Sequence, residues 1–372
     1  MMSSLKQLKH LSMSKISTQY LPSIILALAT FLLVSLFISP RAAAQDIHYT
    51  QFYNAPFQVS PSQIGLFDGY IRVQGNYRNQ WRTVPVGYKT LTMAVDKKFY
   101  SKKKYQFFAG GLVFNYDQAG FGELNNTQVN LLGSFTRRTS KKTYLTLGGI
   151  FGFNQRAFRL TDLSFDNQYN GTGGIDPTIP SGENFGSLSN NFTDASVGIN
   201  FRFQDKDTVL LVDRLENRSK FDVGMGVFHL TQPNQSFIDD AEAPLPIRLS
   251  PYIFGTLQLN DDFDLVGSFL AQFQATYREL LYGGAVKWHW SRTPGRQLAV
   301  QLGANFRSHD FGESWSPVFE AHYNSWRIGL SYEINTSGFQ VATGRDSGPE
   351  ISVRYVLKRV EPLPKYKICP LI

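Results

Sequence analysis

The sequence predicts an all-β protein: a transmembrane antiparallel β-barrel of about 14 strands, following a cleaved signal peptide. Three observations predict it. The chain opens with a secretory leader. Beyond the leader, apolar and polar residues alternate with the two-residue period of a strand in one segment after another. The composition is rich in aromatics and glycine (30 Phe, 18 Tyr, 31 Gly), yet mean hydropathy is slightly negative. A wall with one lipid face and one polar face has that character.

The leader comprises residues 1–44. Lys6, Lys9 and Lys15 form a basic start, an apolar run extends from Leu21 to Ile38, and Ala42-Ala43-Ala44 offers small residues to a signal peptidase before Gln45. An N-terminal membrane anchor is the competing interpretation, because the apolar run is nearly long enough to span a bilayer. Cleavage would remove Lys6, Lys9, Lys15 and Arg41 and lower the net charge from +8 to +4. The remaining Lys and Arg are scattered without a basic stripe, so no nucleic-acid partner is expected. Cys369 is the only cysteine, which excludes an internal disulfide framework.

Residues 45–68 form a lead segment rich in Phe, Tyr and Pro, expected to be periplasmic. The barrel is expected over residues 69–358 and a periplasmic tail over 359–372. Within the barrel, Ile71, Val73 and Tyr77 interleave with Arg72, Gln74, Asn76 and Arg78, and Ile351, Val353, Tyr355 and Leu357 interleave with Glu350, Ser352, Arg354 and Lys358. Strands are expected to begin near Gly69, Thr90, Tyr105, Thr127, Thr143, Phe192, Ser219, Arg248, Asp262, Arg278, Arg296, Trp315, Ser325 and Pro349. The alternation is weakest over Arg248–Leu259 and Trp315–Tyr323. Connection lengths check the assignment: five of the six even-numbered connections are tight, Asp205–Arg218 being the exception, and the two longest, Gln155–Asn191 and Leu230–Ile247, are both odd-numbered. Outer-membrane barrels have short periplasmic turns and long outer loops. Both chain termini are then periplasmic, and the location is the cell outer membrane, with multiple passes. A soluble β-sandwich of this length would need two domains and a linker, and no linker is visible.

No catalytic constellation is present. There is no Gly-x-Ser-x-Gly, no His-Glu-x-x-His and no phosphate loop, so no enzyme activity and no cofactor are expected. Asp239, Asp240 and Glu242 could form a weak Ca²⁺ site, but a solvated loop explains them more simply. Arg72, Arg78, Arg202, Arg307, Arg327 and Arg354 share the polar face with Asp264, Glu333 and Glu350. Mixed signs point to a lumen laced by ion pairs rather than to a selective pore.

Specific motifs go further. Gln51-Phe52-Tyr53-Asn54-Ala55-Pro56, Ser60-Pro61, Gly65 and Asn76-Tyr77-Arg78-Asn79-Gln80-Trp81 resemble the start of the PorP/SprF family, outer-membrane proteins of type IX secretion and gliding motility in Bacteroidota. Phe228-His229-Leu230, Gly303-Ala304-Asn305-Phe306-Arg307, Ile328-Gly329-Leu330-Ser331-Tyr332-Glu333 and Ile368-Cys369-Pro370 resemble later segments of the family. The chain departs at Ser60-Pro61-Ser62, where the family usually has Asn-Pro-Ala, and at Glu333, where it usually has aspartate. The resemblance implies a non-enzymatic component of type IX protein secretion or gliding-associated adhesin export. Its partners would be outer-membrane lipid, periplasmic type IX secretion or peptidoglycan-linked proteins, and a secreted adhesin. A passive porin or hydrophobic-solute channel is the alternative.

The residues expected to meet a partner lie on the short-turn face. Phe52, Tyr53 and Phe57 must bury somewhere, and Pro56 and Pro61 stiffen the path while opposing strand pairing. The segment can cork the barrel's own mouth or dock a partner. Lys102, Lys103 and Lys104, with Lys141 and Lys142, make basic turns suited to an acidic partner.

Overall fold

Because successive strand side chains point to opposite sides, an alternating segment can satisfy lipid on one face and water on the other, provided no edge is left open. The chain meets that condition. The computed structural model describes residues 46–81, 87–100, 106–120, 123–159, 163–171, 173–183, 187–204, 218–238, 241–293, 295–309, 312–338, 341 and 344–358. Residues 1–44, expected from sequence to be a signal peptide, Lys102, Lys103, Lys104, Asp239, Asp240 and the tail from 359 lie outside the described residues.

The strands are β1 (Ile71–Gln80), β2 (Tyr88–Tyr100), β3 (Gln106–Ala119), β4 (Leu124–Arg138), β5 (Thr143–Ala157), β6 (Ser189–Gln204), β7 (Lys220–Phe228), β8 (Arg248–Gln258), β9 (Phe263–Gln274), β10 (Tyr277–Ser291), β11 (Leu298–His309), β12 (Gly312–Tyr323), β13 (Trp326–Asn335) and β14 (Asp346–Leu357). Each pairs antiparallel with its sequence neighbours, and β1 pairs with β14 to close the barrel. The closing register places Ile71 opposite Leu357 and Arg78 opposite Glu350. Every predicted strand start falls within three residues of an observed one.

Alternation sorts the faces as expected. Ile328, Leu330, Ile351 and Val353 are exposed on the outside, whereas Arg72, Arg202, Glu333 and Glu350 are buried inside. Aromatic side chains gather outside near the strand ends. Trp288 lies 4.8 Å from Trp290 and Trp326 lies 4.7 Å from Tyr355, between ring centroids. Amphipathic rings of this kind suit the bilayer interface.

The two ends differ. At the end where β1 begins, the connection after β8 spans residues 259–262 and the one after β12 only 324–325. At the opposite end are the longest connections, residues 158–188 and 229–247. These are called the short-turn end and the long-loop end below.

Candidate functional site: a plugged lumen

A wall of 14 strands encloses more volume than its own side chains can fill: about 8 strands give a filled interior and 16–18 leave an aqueous channel. Here the lead segment fills the difference. Three short turns fold it: a 3-10 turn at Phe52–Asn54, a helical turn at Pro56–Val59 and a 3-10 turn at Pro61–Gln63. Pro56 and Pro61 each open a turn, where their fixed φ is already suitable and the missing N–H costs nothing. Ser60 caps the last turn by accepting from Ser62 N at 3.2 Å.

The path runs against a simple expectation. The segment does not stay at the short-turn mouth that β1 leaves from. Asp46 lies in the long-loop half, where its carboxylate meets His229 Nε2 at 2.6 Å and Arg248 Nε at 3.1 Å. The chain descends to Asn54, whose Nδ2 donates to Glu320 at 2.6 Å. It rises again to Gln58, whose Nε2 donates to Asn115 at 3.0 Å. It then drops through Gly65 and Phe67 to the short-turn end and enters β1.

Backbone groups of a folded loop need partners when buried, and the wall supplies them. Thr50 N and Gln51 N donate to the two oxygens of Glu350 at 2.7 and 2.8 Å. Asn305 Nδ2 donates to Thr50 O at 3.0 Å, Ser250 Oγ to Val59 O at 2.8 Å and Ser134 Oγ to Ile64 O at 2.8 Å. Arg72 holds Asp96 by two bonds of 2.8 Å and also donates to Gln63 O at 3.1 Å, while Gly65 N donates to Asp96 at 2.8 Å. Tyr252 Oη is a hub: Gln63 Nε2 donates to it at 2.8 Å and it donates to Asn200 at 2.8 Å.

Apolar groups match as well. Phe57 and Ile64 pack with Ala94, Ala109, Val113 and Leu132 of the wall. Phe52 and Val59 pack with Tyr252, Leu270 and Leu281. A row of glycines completes the seat. Gly148, Gly198 and Gly226 are register partners on β5, β6 and β7. A Cβ at Gly148 would lie 2.1 Å from Pro61 O, and one at Gly198 2.4 Å from Ser60 Oγ. Glycine is required there because plug and wall backbones touch.

The sequence-predicted residues therefore separate. Phe52, Pro56, Phe57 and Pro61 are buried in the lumen, and Tyr53 is half-buried there. Lys141 and Lys142 are exposed in the turn between β4 and β5. The ion-pair lumen is present: Arg72–Asp96, Arg78–Glu333, Arg202–Asp222 and Arg307 with Glu279 and Glu333 are all buried. Asp96, Asp222 and Glu320 were not singled out from sequence. The first two stand directly opposite Arg72 and Arg202 in register, a pairing that only strand alignment reveals.

The plug leaves two cavities. The long-loop cavity is about 510 Å³, and four arginines and five acids line it, with His48, His229 and His309. The short-turn cavity is about 340 Å³, and eight lysines and arginines face three aspartates in its wall. His229 sits just beyond β7 between Asp194 at 2.7 Å and Asp46. Burial alone would lower its pKa, but the two carboxylates outweigh it and raise the value to about 9. Asp46 is held well below the usual carboxylate range: burial opposes this, and His229 and Arg248 overcome it. Among the described residues no group of three or more His, Cys, Asp or Glu is placed to hold a metal ion.

Solved outer-membrane barrels resemble the chain. A Pseudomonas aeruginosa FadL homologue aligns over 80% of this chain and 92% of its own at 12% identity, with a TM-score of 0.45. The CymD monoaromatic hydrocarbon channel aligns over 88% and 97% at 10% identity, with a TM-score of 0.44. BamA from Haemophilus ducreyi aligns over 77% and 70% at 7% identity, with a TM-score of 0.38. No curated protein matches the sequence. The profile described as type IX secretion system membrane protein PorP/SprF matches residues 41–355, nearly all of the barrel and its plug. The chain thus belongs to the PorP/SprF family of type IX secretion membrane proteins.

Proposed function

We propose that this outer-membrane component of type IX secretion works as a plugged, non-enzymatic barrel that docks periplasmic machinery or a secreted partner, in gliding-associated adhesin export or general secretion. The observation that carries the reading is the filled lumen. A segment held along its length by buried hydrogen bonds and a glycine seat does not suit free diffusion of solutes, so the passive-channel alternative loses support. What the barrel offers instead is surface. The short-turn end is taken as periplasmic by the usual asymmetry of turns and loops. The domain limits of 45–68 for the plug, 69–358 for the barrel and 359–372 for a periplasmic tail belong to this proposal.

On this reading the basic turns, Lys102, Lys103, Lys104, Lys141 and Lys142, attract an acidic periplasmic partner. Phe52, Tyr53, Pro56, Phe57 and Pro61 support that face from inside by holding the plug in place. The test is charge reversal, with Lys141→Glu and Lys142→Glu combined with Lys102→Glu, Lys103→Glu and Lys104→Glu. Folding is verified by heat-modifiable gel mobility. Periplasmic partners should no longer co-purify and secretion should fall. Unchanged co-purification and secretion would overturn the docking reading.

A further inference from the structure

Cations half-buried in a lumen normally find counter-charges, since a charge drawn partly away from bulk water without a partner is costly. Among the described residues lining the short-turn cavity, cations outnumber carboxylates, and one of those carboxylates, Asp68, attracts both Lys220 and Arg202. Arg72 and Arg202 are matched by Asp96 and Asp222. Arg218 and His289 both claim Asp264, at 2.8 and 2.7 Å. Lys287 stands directly across from Asp264 in the ladder between β9 and β10, yet that carboxylate is already taken. Lys220 and Lys287 have no hydrogen-bond or ion-pair partner among the described residues. Arg354 leaves its buried Nε unsatisfied. Arg327 reaches its one carboxylate, Glu320, only at 4.0 Å, and it is a like-charge neighbour of Lys220, Lys287 and Arg354 alike.

We propose that this cavity is a binding site for the carboxylates of an acidic peptide segment, received by Lys220, Lys287, Arg327 and Arg354. Resting on the docking reading above, the proposal names the chemistry of what docks. Three features select an extended peptide over a small anion. The plug lines the cavity with Tyr53, Pro56, Leu66 and Phe67, beside Gln63 and the acidic Asp68, so the site presents apolar surface beside charge. The cavity opens among short turns, with Asn324, Ser325 and Lys358 at its rim. An exposed basic turn also adjoins the site: Gln204 lines the cavity and its backbone N–H donates to Lys142 O at 2.9 Å. A cavity of about 340 Å³ bordered by a basic turn exceeds one phosphate and suits several carboxylates along a chain. The protein's own last residues do not complement the site, because residues 359–372 carry Arg359, Lys365 and Lys367 against Glu361.

The test titrates the purified full barrel in detergent with a fluorescein-labelled hexaglutamate peptide, read by anisotropy. Wild type should bind saturably and in a salt-sensitive manner. Lys220→Gln with Lys287→Gln should weaken binding at least tenfold. Lys287→Arg alone should retain it, which separates lost charge from lost folding. Lys141→Gln with Lys142→Gln should weaken it about threefold, as expected for exposed charges that border the site. Equal affinity for wild type and the Lys220→Gln, Lys287→Gln double variant, or no saturable binding to wild type, would overturn the proposal. Displacement by inorganic phosphate as effective as displacement by unlabelled hexaglutamate would overturn the peptide assignment. No cellular partner enters this titration, so its failure leaves the docking reading to the charge-reversal test.

Discussion

The two halves of the lumen are built from the same strands but are electrostatically different. The long-loop half is nearly balanced: four arginines face five acids, and Arg78, Arg248 and Arg307 are spent on Glu333, Asp46 and Glu279 while Arg156 bonds Gln235. In the short-turn cavity eight lysines and arginines meet three lining aspartates, and Asp96 and Glu320 nearby still leave the cations in excess. The plug divides them and is fastened differently in each. In the long-loop half one end is pinned by the Asp46–His229–Asp194 chain of charges. Further along toward β1 the backbone itself is clamped, by Arg72, Asp96, Tyr252 and the glycine row. A cavity whose charges nearly balance asks little of a ligand, whereas one with cations in excess favours an anionic one.

The most disruptive way to break this division is to unseat the plug. Gly198→Leu places a branched side chain where a Cβ alone would meet Ser60 Oγ at 2.4 Å. The two halves should then join, and conductance of the barrel in a planar bilayer should rise at least tenfold over a nearly closed wild type. A variant that stays closed would show that the plug is held elsewhere. Next in size is Arg72→Leu, which leaves Asp96 buried without its cation. Breaking a buried pair from one side costs about 3–5 kcal/mol, so a large loss should appear in urea unfolding of the folded barrel.

A smaller effect is expected at the other fastening. Because the pKa of His229 is raised to about 9, its charged contact with Asp46 is fully present below the ordinary histidine value of about 6.5 and is lost as pH climbs through about 9. Hydrogen exchange in residues 46–51 should therefore accelerate between pH 8 and pH 10, beyond the intrinsic rate, while residues 60–65 stay protected. In Asp46→Asn the first segment should be fast throughout and the pH step absent. The smallest effect sharpens the contrast from outside. Lys141→Gln with Lys142→Gln should change barrel stability by no more than about 0.5 kcal/mol, because both residues are exposed. A larger change in urea unfolding would give that turn a structural role.

Much of this could be read from sequence for a physical reason. Period-two alternation is local, so Arg72 against Val73 or Ile351 against Ser352 declares its face without knowledge of the partner strand. The weak stretches were informative too. β8 and β12 lose alternation because Tyr252, Phe254 and Val318 are apolar yet face the lumen, as their strand parity requires. Phe254 packs against Phe52 at 5.9 Å between centroids. The irregularity was the imprint of the plug on the wall.

Sequence alone determined the barrel class, the strand starts, the two ends, and the need of Phe52, Tyr53 and Phe57 for burial, since each follows from the order of residues along the chain. Only the tertiary structure decided where that burial occurs, which glycines form its seat, and that Asp264 is claimed by Arg218 and His289 while Lys287 goes without. Those outcomes depend on residues brought together from positions up to about 300 apart, as Thr50 is with Glu350. Competition among several cations for one carboxylate is settled by three-dimensional distance, which no local pattern records.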